Sequence, residues 1–290
     1  MSCSEILKLD EYQRKSRILV IGDIMLARDE ASCDLAGAAK IASLINKLGC
    51  PVLLAGMVGM DEEGDILKHM LNNEGIPLIL GMLSTKPTTV KDSPAARPWQ
   101  GSGTDSNHGP DNGPGIFHDI LRVIALLSDD LKLIALCDFG NGIMTEGLVK
   151  AIMEICGLRD IAVIVFANCD DMNRFSGADM VVIRAVSSKL LQGKSPDALQ
   201  QISDTVSDVI SETSSTCVVL CGANGAYLFS GTDIPMYVQC SPGYQVNDSY
   251  DREYMFMAAL TAGLSRGMSY KEAFTMACSM ASIPICGSHP

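Results

Sequence analysis

Short apolar runs, rich in β-branched residues and closed by Gly, Asp or Cys, alternate along this chain with longer segments whose apolar residues recur at helical spacing. The runs at 17–22, 51–58, 131–137, 161–166, 180–183 and 216–221 read as buried strands. Helical spacing marks 35–48, 61–73, 117–127, 145–156, 196–212, 253–265 and 270–282. Strand and helix in turn, joined by short Gly-marked links, predict an α/β fold with a mostly parallel sheet and helices on both faces. The turn at 222–225 between two apolar runs predicts a hairpin, with a strand at 226–229. Ligands bind such sheets at the carboxyl ends of the strands, and Asp23 directly follows the first one.

Local signals sharpen the elements. Gly49 suits a helix C-terminus, and Asp61, followed by Glu62 and Glu63, suits an N-cap rather than chemistry. The pattern fades over 85–115, which is rich in Gly, Pro, Ser, Asn and Asp and reads as a loop. Its GSGTDSNHG lacks the preceding strand and following helix of a nucleotide-binding glycine loop. The expected organisation is one domain over residues 1–290 with a flexible insert at about 92–115.

A formal charge of −12 and a pI near 4.7 argue against nucleic acid or an anionic membrane as partner, since both demand basic patches. The longest apolar runs fall well short of the ~20 residues of a spanning helix, and residues 1–17 do not read as a secretory signal. A cytoplasmic location is expected. Eleven cysteines without a C-x-x-C pair read as reduced thiols, and four scattered histidines give no metal set, so no metal-ligating residue is assigned.

Taken together, ILVIGDIML at 18–26, GMVGMDEEG at 56–64, TTVK at 88–91, DFGNG at 138–142, RFSGAD at 174–179 and CGANG at 221–225 resemble, in order, motifs of the ribokinase/PfkB family. Within it they resemble the kinases of D-glycero-β-D-manno-heptose 7-phosphate. The resemblance spans nearly the whole chain apart from 92–115. It implies a ribokinase-like three-layer α/β sandwich, with a lid reduced here because the interval from Asp23 to Gly37 is short. It also implies a sugar or sugar phosphate near Asp23, Gly37 and Lys91, and a nucleotide near Gly222, Gly225, Asp248 and Arg252.

The family holds the transferring phosphate in a glycine loop, D-V-T-G-A-G-D or close to it, whose last Asp is the general base. Laid without gaps from the helix ending at Gly267, that pattern falls on 248–254, DSYDREY. Asp248 survives, the anion-hole positions become Asp251, Arg252 and Glu253, and the base becomes Tyr254, a poor base near neutrality. A shortened loop places Asp251 as base instead, still without glycines. Elsewhere the family's Asn and Glu before the phosphates are replaced within 183–187 (IRAVS), its Lys by Asn141, its sugar-side Asn by Lys40 and an early Asp by Ala27.

Three readings follow. One is a pseudokinase with lost or severely impaired phosphotransfer, acting through a bound ligand, a protein partner or a homodimer. Another is an active Mg-ATP-dependent sugar kinase with Asp251 as base and Arg184 or Arg252 replacing lost phosphate contacts. The third is a structural protein without ligand. A fused adenylyltransferase is not expected in a sequence that stops at Pro290.

Overall fold

The computed structural model describes residues 18–28, 33–83, 86–92, 114–167, 172–184, 199–213, 215–222, 225–231, 234–239 and 249–282. In chain order these form β1 (Ile18–Gly22), β2 (Ile24–Arg28), β3 (Cys33–Gly37), α1 (Ala38–Lys47), β4 (Val52–Gly59), α2 (Glu62–Asn73), β5 (Leu78–Leu83) and β6 (Thr89–Asp92). Then come α3 (Pro114–Leu127), β7 (Leu133–Asp138), α4 (Glu146–Arg159), β8 (Ala162–Ala167), β9 (Met180–Arg184), α5 (Leu199–Thr213), β10 (Thr216–Leu220), β11 (Ala226–Phe229), β12 (Met236–Val238), α6 (Ser249–Ser265) and α7 (Tyr270–Ala281).

Nine strands make the main sheet in the order β12-β11-β10-β9-β8-β7-β1-β4-β5. From β10 to β5 every pairing is parallel, and the hairpin foreseen at 222–225 adds β11 and β12 antiparallel at one edge. Strand β1 shows why helices cover both faces. Its Ile18 and Val20 join a core with Ile41 and Ile45 of α1, Leu260 of α6 and Phe274 of α7. Its Leu19 and Ile21 point the other way, toward Ile120 of α3, Ile152 of α4 and Val206 of α5. Such side chains contribute roughly 1.5–3 kcal/mol each on burial, so the period-two alternation of β1 fixes its register against both layers.

A second sheet, β3-β2-β6, stands over the first as a lid. Strands β2 and β3 form an antiparallel pair of five residues each, and β6 joins β2 in parallel, with Lys91 opposite Ala27. The short interval after Asp23 thus holds a single hairpin, in keeping with a reduced lid.

Three boundaries differ from the sequence reading. Helix α1 begins at Ala38, not 35, because residues 33–37 extend along β2 and Gly37 turns the chain at φ 61°. The region 85–115 is not all loop: Thr89–Asp92 is a lid strand, its β-branched residues paired with β2, and α3 starts at Pro114. Residues 93–113 of the expected insert lie outside the described ones. Helix α6 starts at Ser249 rather than Glu253, so Asp251 and Arg252 are helical.

Among the described residues no helix is long and apolar enough to cross a membrane, and the seven described cysteines are free thiols.

Candidate functional site

At the carboxyl edge of the sheet three turns meet beneath the lid. The carboxyl end of β4 and the start of α2 carry GMVGMDEEG. Asp61 caps α2 by accepting from Gly64 N (2.8 Å), as foreseen, and its two oxygens also accept from Thr88 N and Thr88 Oγ1, both at 2.6 Å. Thr88 Oγ1 in turn accepts from Gly59 N at 2.9 Å. Burial pushes the Asp61 carboxyl up, but these hydrogen bonds outweigh it and hold it below the usual carboxylate range. A Cβ at Gly64 would lie 2.4 Å from Gly59 O, which explains the glycine. The motif therefore ties β6 and the lid to the main sheet.

Asp23 sits between β1 and β2, 4% exposed. Its Oδ2 accepts from Phe139 N (2.7 Å) and Asn141 N (3.1 Å), and its backbone carbonyl accepts from Ala38 N (3.0 Å). Burial, followed by the neighbouring Asp138 carboxylate, pushes its pKa up to about 7 against the pull of those amides. Asp138 accepts from Gly140 N at 3.0 Å and pairs with Arg174, whose other terminal nitrogen donates to Met144 O. This second turn is thus organised by two buried carboxylates and one arginine.

The third turn leads into α6. Tyr254, one of the two base candidates, is 5% exposed, and its hydroxyl accepts from Gly37 N at 3.1 Å. Its ring meets Phe139 edge-on at 6.1 Å, and Phe139 meets Phe166 likewise at 5.5 Å. The other base candidate, Asp251, lies in the first turn of α6. Asp248 lies outside the described residues.

Glu253 and Arg184 form a charge pair 2.6 Å apart, with side chains only 13% and 9% exposed. The Arg184 Nε–H is not aimed along that line, so the contact is an ion pair more than an aligned hydrogen bond. Burial pushes the Glu253 carboxyl up, while Arg184 and then Lys91 pull it down. Lys91, above the Phe139 ring at 6.0 Å, is pushed down to about 8 by burial and then by Arg184, with Glu253 opposing. Two cations thus face one carboxylate, yet burial outweighs them and holds the Glu253 carboxyl above the usual carboxylate range.

On the far side of Glu253 a shallow, open cleft is lined by Leu220, Gly222, Gly225, Ala226, Arg252, Glu253, Phe256, Cys278 and Ala281. Gly222 and Gly225 hold positive φ of 59° and 98°, and a Cβ at Gly225 would lie 2.2 Å from Val238 O. The residues assigned by resemblance therefore fall into two groups. Asp23, Gly37 and Tyr254 adjoin one another, with Lys91 over Phe139; Gly222, Gly225 and Arg252 share the cleft. Glu253 touches both groups. Its pairing with Arg184 was missed in the sequence, although two opposite charges replacing neutral or glycine positions of one motif set was the available signal. The cleft walls Phe256 and Cys278 carried no such signal.

Comparison with known proteins adds to this geometry. No family model matches the chain. It is 28% identical over 187 residues to a D-beta-D-heptose 7-phosphate kinase of Bordetella bronchiseptica, covering 58% of each chain. It is 23% identical over 297 residues to the bifunctional protein HldE of Desulfatibacillum aliphaticivorans, covering 93% of this chain. Arabidopsis thaliana ribokinase, solved with ribose and ATP, superposes with a TM-score of 0.69 at 18% identity, covering 92% of this chain and 91% of that one. The chain is thus similar in sequence to heptose 7-phosphate kinases and has the ribokinase-like fold. A putative ribokinase II of E. coli, solved with ATP and Mg2+, shares the fold at a TM-score of 0.64, 15% identity and 92% coverage of each chain. The chain spans less than two thirds of its curated relatives' length, 58% of the Bordetella kinase and 59% of the Desulfatibacillum protein.

Proposed function

We propose that this PfkB-type carbohydrate-kinase homologue is a pseudokinase, with phosphotransfer lost or severely impaired, that acts by binding a ligand or a partner. The observation that carries the reading is the first turn and a half of α6. Where a family member needs bare amides and a free carboxylate base, this chain has a helix already running from Ser249, a carboxylate at Glu253 bound to Arg184, and Tyr254 buried against Gly37. Removing oxyanion donors costs roughly 10²–10³ in rate, and placing a fixed negative charge among them adds repulsion.

The magnesium-triphosphate group that accompanies such kinases does not fit the described residues. Glu253 lines the cleft and is paired with Arg184, and among the described residues no group of three His, Cys, Asp or Glu is placed to hold a metal. Asp23, Gly37 and Lys91 are proposed to face a sugar or sugar phosphate, with Lys91 supplying positive charge under the lid. We place the protein in the cytoplasm as one domain over 1–290.

An active kinase is the second reading, favoured by the position of Asp251 in the first turn of α6 at the ligand-binding edge. A coupled ADP-release assay with Mg-ATP and a panel of sugars and sugar phosphates, heptose 7-phosphate included, separates the two. The pseudokinase gives no turnover above a no-enzyme blank. Turnover abolished by Asp251→Asn and spared by Tyr254→Phe establishes the second reading.

A further inference from the structure

Two of the crossings between lid and main sheet meet at one residue. Asp23 is the single residue between β1 and β2, and its carbonyl accepts from Ala38 N at 3.0 Å, where the chain leaves β3 for α1. The contact is close, since a Cβ at Gly37 would lie 2.4 Å from Asp23 O. Asp23 N donates to Cys137 O at 3.1 Å, and its carboxylate takes the amides of Phe139 and Asn141 in the turn after β7. That turn also touches the lid: Asn141 Nδ2 lies 3.3 Å from Met25 Sδ on β2, and the Phe139 ring lies below Lys91 of β6. One carboxylate thus organises the surface on which the lid rests.

A negative charge is poorly accommodated there. Asp23 is buried, and the charged group acting on it is Asp138, a second carboxylate. Arg174 is paired with Asp138, and Cys137 stays a neutral thiol because burial, then Asp23 and Asp138, push it up. From the lid side Met25 and Gly37 bring no charge, and Lys91 interacts with Arg184 and Glu253. Lys40 of α1 is paired with Asp34, and Tyr254 of α6 presents a neutral hydroxyl to Gly37 N. Moving a charged Asp23 into water therefore relieves burial and repulsion together. The neutral carboxyl carries neither penalty and still accepts through its carbonyl oxygen.

We propose that Asp23 is a proton-operated latch between lid and main sheet, closed while its carboxyl holds a proton and loosened once that proton leaves. The turn at 138–141 is the catch, because it receives the Asp23 side chain and bears on both β2 and β6. The latch is independent of whether phosphate transfer survives in this chain.

The carboxyl titrates near 7 in the closed lid and near 4 in water, so opening releases one proton between those values. Opening is expected to become about tenfold easier per pH unit from about pH 5 to 6.5 and to level off above about 7. The test is residue-resolved hydrogen exchange of the full chain by NMR from pH 5 to 8, corrected for the intrinsic pH dependence of exchange. It is read at the amides of Gly37, Ala38, Phe139 and Asn141, with Val181 and Val182 of β9 as reference. Asp23→Asn should make the corrected opening independent of pH, and Asp138→Asn should move the rise to lower pH by removing the neighbouring charge. The wild-type series decides the question even if a variant folds poorly. Corrected exchange that is flat with pH at the four amides overturns the proposal, as does a rise in step with β9, which reports unfolding of the whole chain. A rise that persists in folded Asp23→Asn overturns it too.

Discussion

At the start of α2, Asp61 spends its oxygens on Gly64 N and on both donors of Thr88; at the start of α6, Glu253 faces another side chain, Arg184. Both carboxylates stand at the start of a helix, and both fall in segments the family resemblance singled out. The first motif retains its glycines because backbone lies against backbone, as the 2.4 Å approach at Gly64 requires. The second has a charge pair where the resemblance implies glycine. Architecture around α2 leaves no room for substitution at Gly64, whereas the α6 turn is held by complementary side chains.

The contrast is broken most severely at the charge pair. Arg184→Met leaves Glu253 buried beside Lys91 alone and is expected to lower stability by about 3 kcal/mol. The double change Arg184→Met with Glu253→Met should recover most of that loss in a urea melt, because two apolar groups replace two charges. If the double variant is no more stable than the single, the pair is not a self-contained unit. Next comes Asp61→Ala, expected to cost about 2 kcal/mol through the lost cap and the freed Thr88 donors. Hydrogen exchange at Thr88 and through β6 should rise with it while β9 stays protected.

Asp23 gives a pH-dependent test on the unaltered side of the site. Its folded pKa, raised to about 7, exceeds the unfolded value, so its contribution is fully present below the unfolded pKa and is lost as pH rises through about 7. Stability should fall across that window with a slope approaching 1.4 kcal/mol per pH unit from this group, and Asp23→Asn should flatten it. The smallest effect is expected of Tyr254→Phe, about 1 kcal/mol for the acceptor lost to Gly37 N, read from the same melts.

Much of the fold was legible because apolar alternation in β1 and helical spacing in α2 or α4 are local signals of a global arrangement. The N-cap at Asp61 and the helix end at Gly49 followed from the same chemistry. Strand β6 was not legible: a single apolar residue, Val90, among Thr89, Lys91 and Asp92 becomes part of a strand only when Met25–Arg28 lies alongside, which no local window reveals. The start of α6 is placed too late by the sequence because the polar, acidic residues 248–252 lack the apolar spacing of a helix. Without glycines, residues 249–252 simply continue the helix. Asp23 was visible as a strand-edge acid, but its service to Phe139 N and Asn141 N depends on β7 lying next to β1.

The Arg184–Glu253 contact also bears on descent. A lineage recovering a bare phosphate cradle from this chain must remove Glu253, yet doing so first strands Arg184, and removing Arg184 first strands Glu253. Either single step passes through a less stable intermediate that selection can discard before any catalytic benefit arises. On the pseudokinase reading, one ion pair at the head of a helix thus acts as a ratchet against return.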